Sequence, residues 1–219
     1  MKRIFLLCSL GAMVCSSCLA QVAWQTDGVP VCTATGDQMN PVIVPDMKGG
    51  GIIIWQDYRV GNYDIYAQRV DSSGNCMWAN NGVALAASAL TESYPKAISD
   101  MRGGAIIAFN KGSYNVWAQR VDSAGNACWG TNGMDVSSLT NSVQMSYKLC
   151  SDSVGGALIT WKNNDTLSSD GNDGYIQRVD SIGNLPWGAT GIMVAGGPGE
   201  QRCVGGAIED GRGGGNIMG

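Results

Sequence analysis

The chain has 219 residues, a formal net charge of −4 and no histidine. The acidic balance excludes nucleic acid and anionic membrane surfaces as partners, because both need clustered Lys and Arg. The missing histidine excludes Ser-His-Asp and Cys-His catalysis and removes the commonest metal ligand.

The first elements in chain order are those of export. Lys2 and Arg3 precede an apolar run over 4–14, and Cys18-Leu19-Ala20 stands before Gln21. Residues 1–20 therefore read as a secretory signal, too short for a bilayer span, which takes about 20 apolar residues. Cys18 after Cys15-Ser16-Ser17 offers a lipid anchor as the alternative, with Cys where Leu is usual. No other stretch is apolar for long enough to form a transmembrane segment, and the expected address is secreted or cell surface. From Gln21 the chain keeps 12 basic against 18 acidic residues, a formal −6. Cys32, Cys76, Cys128, Cys150 and Cys203 follow the signal, an odd count with no Cys-x-x-Cys spacing. They read as small buried hydrophobes, although export permits disulfides.

One pattern then recurs. Trp24, Trp78, Trp129 and Trp187 are each followed four residues later by Gly28, Gly82, Gly133 and Gly191. An Asp-x-x-Gly-Gly element comes next, at Asp46, Asp100, Asp152 and Asp210. The Trp-to-Trp steps are 54, 51 and 58 residues, the length of one supersecondary unit that must stack on copies of itself. Within a unit, Pro41-Val42-Ile43-Val44 reads as a first strand and Asp46-Met47-Lys48-Gly49-Gly50 as a tight turn. Gly51-Ile52-Ile53-Ile54-Trp55 is apolar at every position, hence a strand covered on both faces. Asp64-Ile65-Tyr66-Ala67-Gln68-Arg69-Val70 is a third strand, and Cys76-Met77-Trp78 is expected to be the fourth.

Four short antiparallel strands per unit define the expected class: all-β, a β-propeller of four-stranded antiparallel blades. A parallel β-solenoid is the structural alternative. The expected blades cover 41–85, 95–137 and 147–195, with a lone closing strand over 24–31 and a truncated blade over 203–219. Three full blades plus partial flanking blades make an incomplete ring, so the chain reads as the front portion of a longer protein.

Spacing locates the tolerant segments. The Asp of the turn precedes the aromatic closing strand two by nine residues in three units, and Gln precedes Trp by ten. Only the link between strands two and three varies, its markers 13, 10 and 16 residues apart. Exposed links that vary are where function is carried. The ligand-binding candidates are therefore Asp57, Tyr58, Arg59, Asn62 and Tyr63 on the first link, and Asn110, Lys111 and Tyr114 on the second. Asp165, Asp170 and Asp173 are the candidates of the third.

Aromatics beside Asn, Asp and Arg can stack on sugar rings and bond their hydroxyls, or can serve a protein-binding loop. Asp57 with Asp64, or the third link's aspartates, could act as the paired carboxylates of a glycoside hydrolase. The stretch 170–174 has some features of a calcium loop but lacks the alternating ligands and terminal Glu, so no cofactor is expected. Gln-Arg-Val-Asp recurs at Gln68, Gln119 and Gln177. A tetrapeptide copied into every unit fits a structural duty in each unit, with Arg bonding between strands and Asp shaping the next hairpin.

The run over 46–78, with its Asp-x-x-Gly-Gly, Trp-Gln-Asp-Tyr-Arg, Tyr-Asp-Ile-Tyr-Ala-Gln-Arg-Val-Asp and Gly-Asn-x-x-Trp parts, resembles repeats of large exported bacterial proteins. Those are surface or secreted propellers, some with type IX sorting domains, and the resemblance implies a fold and a location without an activity. Sialidase Asp-boxes are one residue shorter both from Asp71 to Gly74 and from Gly74 to Trp78, and the Trp-docking repeat of quinoprotein propellers also differs. The expected function is a binding or adhesion scaffold for a glycan or protein held by the variable links. A carbohydrate-active enzyme, hydrolase or lyase, is the alternative.

Overall fold

The computed structural model describes residues 27–113, 115–139, 142–165, 172–196, 207–209 and 215–217. The signal, Trp24, Cys203 and Asp210 lie outside them. Each repeat folds into one four-stranded antiparallel sheet whose strands lie in chain order. The first holds β1 (Gln38–Pro45), β2 (Gly51–Asp57), β3 (Asp64–Val70) and β4 (Val83–Ala86). The second holds β5 (Glu92–Ser99), β6 (Ala105–Lys111), β7 (Asn115–Val121) and β8 (Met134–Asp135). The third holds β9 (Ser142–Ser151), β10 (Ala157–Asp165), β11 (Asn172–Val179) and β12 (Ile192–Ala195). A hairpin of β13 (Ala207–Glu209) and β14 (Gly215–Ile217) follows. Among the described residues there is no helix, and every pairing within the sheets is antiparallel, which excludes the parallel solenoid.

The continuous apolarity of the second strands has its explanation in the stacking. Ile52, Ile54, Ile65, Ala67 and Leu85 of the first sheet pack on Ala105, Ile107, Phe109 and Val121 of the second. The opposite face of the second sheet, with Ile106, Ala108, Val116 and Ala118, meets Ala157, Ile159, Trp161 and Val179 of the third. Each fully buried Ile or Leu contributes roughly 1.5–3 kcal/mol, so a strand lying between two neighbours contributes on both sides.

The turn chemistry is repeated as closely as the spacing. Asp46 Oδ1 accepts from the amides of Lys48 and Gly50, both at 2.8 Å, while Oδ2 takes Arg69 Nη2 at 2.9 Å. Asp100 holds Arg120 at 2.8 Å and Asp152 holds Arg178 at 3.0 Å. A side chain at Gly50 would stand 2.1 Å from the Val70 carbonyl, so the second glycine of the motif is a matter of room. Burial pushes the Asp46 carboxyl up, but the Lys48 amide, Arg69 and the Gly50 amide outweigh it and hold it below its ordinary value.

The Gln-Arg-Val-Asp element works within and between sheets. Gln68 is wholly buried; its Oε1 accepts from Trp78 N at 2.9 Å and its Nε2 donates to Ala79 O at 2.8 Å. Arg69 Nη1 and Trp78 Nε1 both donate to Ser123 O of the next repeat, at 3.3 and 3.2 Å. Arg120 and Trp129 do the same to Ser181 O. Asp71 Oδ1 accepts from Ser73 N and Asn75 N at 2.8 Å, which shapes the following hairpin.

Three expectations are corrected. Cys76-Met77-Trp78 is not the fourth strand: it makes one isolated bridge, Val70 with Cys76. Gln68 holds it as a loop, and pairing resumes in β4 after Gly82. Of the expected closing strand over 24–31, residues 27–31 are not a strand either, and 24–26 lie outside the described residues. The four described cysteines are not buried hydrophobes: Cys76 and Cys128 are exposed, and Cys32 and Cys150 half-buried.

Gly82 has φ +84°, and an added side chain would lie 2.6 Å from Trp55 and 2.7 Å from the Ala67 carbonyl. Gly82→Ala is expected to destabilise the chain by about 2–4 kcal/mol, through overpacking and backbone strain. Urea unfolding checks it, and a loss below about 0.5 kcal/mol, the range of an ordinary surface change, would contradict the packing described.

Candidate functional site

Asp57 ends β2 and Asp64 opens β3, so the first variable link joins two register partners. The fully buried Asp57 is spoken for. Its Oδ2 accepts from Trp55 Nε1 at 2.8 Å and Arg59 Nη2 at 2.6 Å, and its Oδ1 accepts from Arg59 N and Nε at 3.0 and 2.8 Å. The Arg59 guanidinium lies 3.8 Å above the Tyr66 ring and also donates to Asn81 O at 2.9 Å. Burial pushes Asp57 up; the bonds from Arg59 and Trp55 more than reverse it, leaving the carboxyl below its ordinary value. Asn62 Nδ2 donates to Asp64 Oδ1, Ser88 O and Leu90 O at 3.1, 3.0 and 2.9 Å. Three of the five candidates on this link therefore act inside the fold.

Two face outward. Tyr58 is 42% exposed, and its ring centroid lies 4.9 Å from that of half-buried Tyr63 at an interplanar angle of 58°. The Tyr63 hydroxyl donates to Met39 Sδ at 3.3 Å, and Met39 is itself exposed. An aromatic platform thus stands on a link whose polar groups are tied down.

On the second link Asn110 and Lys111 are buried, not presented to a ligand. Asn110 Nδ2 donates to Gln144 O at 3.2 Å. Lys111 Nζ lies 3.4 Å from Glu92 Oε1 and 4.1 Å from the Trp117 ring centroid. Tyr114 and Asp170 lie outside the described residues, as does the Asp165 side chain; Asp173 is half-buried opposite Asn163. Among the described residues no three acidic or Cys side chains are grouped to hold a metal ion.

Sequence reasoning missed two features. Glu92 is fully buried, accepts from Ser88 Oγ at 2.5 Å and stands close enough to Asp64 for its charge to act on that carboxyl. Burial first, then the charge of Glu92, push Asp64 up to about 6. Asp64 thus meets two carboxyls, its register partner Asp57 and, with the larger effect, Glu92. Aligning the repeats would have exposed it: Glu92 stands eight residues before Asp100, where the other units carry Gln38 and Gln144.

The second feature is a bulge in each first strand, marked by positive φ at Asn40 (51°), Tyr94 (55°) and Ser146 (53°). The pairing register shifts there in all three sheets. Gln56 Oε1 links two of them, accepting from Asn40 Nδ2 at 2.8 Å and from Tyr94 N at 3.0 Å. The Tyr147 hydroxyl donates to the Tyr94 carbonyl. Tyr94 is 56% exposed.

The free face of the first sheet carries an apolar groove of about 440 Å³, lined by Val29, Val31, Ile43, Ile53 and Val70 among others. Another of about 280 Å³ is lined by Val31, Cys32, Gln38, Pro41, Ile53 and Trp55.

No family model and no curated protein matches the chain. Among solved structures it is similar to the polysaccharide lyase Uly1, at 8% identity and a TM-score of 0.47, over 71% of this chain. The match covers 42% of the lyase, so the chain spans less than half of that structure's length.

Asp57→Ala should leave Arg59 and the Trp55 indole N–H without their buried acceptor, at a cost of about 3–5 kcal/mol. A melting curve unchanged from wild type would mean that Asp57 is not the structural anchor of the link.

Proposed function

We propose that the chain is part of an exported β-propeller that acts as a binding scaffold, holding a glycan or protein ligand on the aromatic platform of its first link. The observation carrying this reading is the pairing of exposed Tyr58 with half-buried Tyr63 on a link braced by Asp57, Arg59 and Asn62. Tyrosine offers a large apolar face with a polar tip, and a link already rigid loses little entropy when it binds.

The ring reading draws support from the sheet faces. Gly51, Ile53, Trp55 and Val70 on the free face of the first sheet correspond to Ala105, Ile107, Phe109 and Val121, which the first sheet covers. Val29 and Val31 line the groove on that free face together with Ile43, Ile53 and Val70. Thr33 N donates to Asn81 Oδ1 at 2.8 Å, and Ala87 N, its counterpart in the next unit, donates to Asn132 Oδ1 at 3.0 Å. One further blade, with 29–32 as its outer strand, would fit that face. Export rests on the signal pattern of residues 1–20, and the Asp-x-x-Gly-Gly repeat supports a surface or secreted bacterial protein.

The carboxylates that a hydrolase would draw on, Asp57 and Asp64, are engaged with Arg59 and Glu92, which favours binding over catalysis at this link. A glycan array followed by titration with the leading sugar tests the reading. Tyr58→Ala and Tyr63→Ala should each weaken binding about tenfold or more, as buried tyrosine anchors do, with melting unchanged. Undiminished affinity in both variants would remove the platform from the function, and sugar release abolished by Asp64→Asn would favour an enzyme instead.

A further inference from the structure

We propose that the junction between the first and second sheets is a proton-operated lock, in which the buried Asp64–Glu92–Lys111 cluster is neutral while the carboxyls share one proton and loosens when that proton leaves. The cluster joins three elements: Asp64 from β3, Glu92 from β5 and Lys111 from β6. All three are nearly or fully buried, so no substrate reaches them and their charge acts on the packing itself.

The repeat supplies an internal control. Strand register pairs Glu92 with Lys111 and Lys111 with Asn115 in the second sheet, and Gln144 with Asn163 and Asn163 with Asp173 in the third. The positions equivalent to Asp64, Glu92 and Lys111 at the next junction are therefore Asn115, Gln144 and Asn163. There the contact is made by neutral amides, with Val116 N donating to Gln144 Oε1 at 2.7 Å. The same backbone closes without charge, so the carboxylates and the lysine add something that the shape does not require.

Hydrogen bonding points to the shared proton. Glu92 Oε1 has Ser88 Oγ and Lys111, whereas Glu92 Oε2 is buried with no donor. Two ionised carboxylates can only accept; protonating one creates the missing donor. With the proton in place Asp64 is neutral and Lys111 balances Glu92. Without it, one uncompensated negative charge lies in a dry junction. Every facing group is accounted for. Asn62 on the link donates to Asp64, Ser88 before β5 donates to Glu92, and Asp57 on β2 adds negative charge at Asp64 although Arg59 pairs with it.

The direction follows from Asp64, pushed up to about 6 from 3.8. A carboxyl raised on folding contributes fully below its unfolded value, and that contribution is lost as pH rises through about 6. Asp46 and Asp57 are held low, so their contribution is lost only as pH falls below the ordinary carboxylate range. The junction is tightest in mild acid.

Urea unfolding of the whole chain between pH 5 and 8 tests this. The folding equilibrium constant should fall roughly tenfold between pH 5 and 8, the part of a gap of about two pH units that this window spans. Asp64→Asn, which installs the residue of the second junction, should flatten the profile and exceed wild type at pH 7.5. Glu92→Gln should also flatten it. Hydrogen exchange localises the effect: protection of the Glu92 amide, bonded to Tyr63 O at 2.7 Å, should drop with rising pH relative to that of Val116. If Asp64→Asn does not fold, the Asp64 carboxyl is titrated in wild type by NMR. A midpoint near 6 supports the lock and one near 4 overturns it. So does wild-type stability that is level or rising from pH 5 to 7.5, or an unaltered slope in Asp64→Asn.

Discussion

A carboxylate buried in the first turn of each of the three described four-stranded repeats, and fully occupied there, is the interaction on which the rest of this architecture depends. Asp46, Asp100 and Asp152 each bind two amides of their own turn and one arginine from strand three. An ion of that kind is tolerated inside a protein only when its lone pairs are filled. The turn therefore cannot reshape without exposing the charge, nor can strand three slide in register. The same arginine reaches the hairpin carbonyl of the next repeat in the first two units, so one charge pair sets the geometry within a sheet and the spacing between sheets.

Stacking follows from that spacing. β6 is apolar from Ala105 to Phe109 because both of its faces meet a neighbour, and the tryptophan that closes a repeat lies against a glycine of the next: Trp78 on Gly125, Trp129 on Gly183. The junctions share a skeleton but not a charge state. Evolution of a repeat protein can vary what fills an interface while keeping the interface, and the first junction has been given ionisable groups where the second has amides.

Much of the fold was legible in residue spacing because the turn and the two-sided strand are local. Nine residues from Asp to aromatic is one turn plus one strand, and alternation fails in β6, where both faces are covered. The fourth strand was misplaced because Cys76-Met77-Trp78 is apolar and follows a hairpin, as a strand would. What overrides that appearance is Gln68, ten residues away, whose side chain takes the hydrogen bonds a strand partner would take. The candidate site was less legible. Asp57 and Arg59 looked available for a ligand, yet two residues apart in a tight link they satisfy each other. Asp64 and Glu92 are 28 residues apart and meet only because two sheets stack, so no single repeat reveals the pair. Tyr58 and Tyr63 were identifiable by type and by the variability of their link, and their outward pairing needed the fold.

The left-handed residue at Asn40, Tyr94 and Ser146 has a consequence beyond its own strand. β1, β5 and β9 are outermost in their sheets, so each offers amides and carbonyls along one side to any passing extended chain. A bulge with positive φ bends that border and throws its donors out of line. An intruding strand finds two or three matching groups and then a mismatch. Such a bulge disfavours edge-to-edge fusion of stacked sheets without spending a charged side chain on the border.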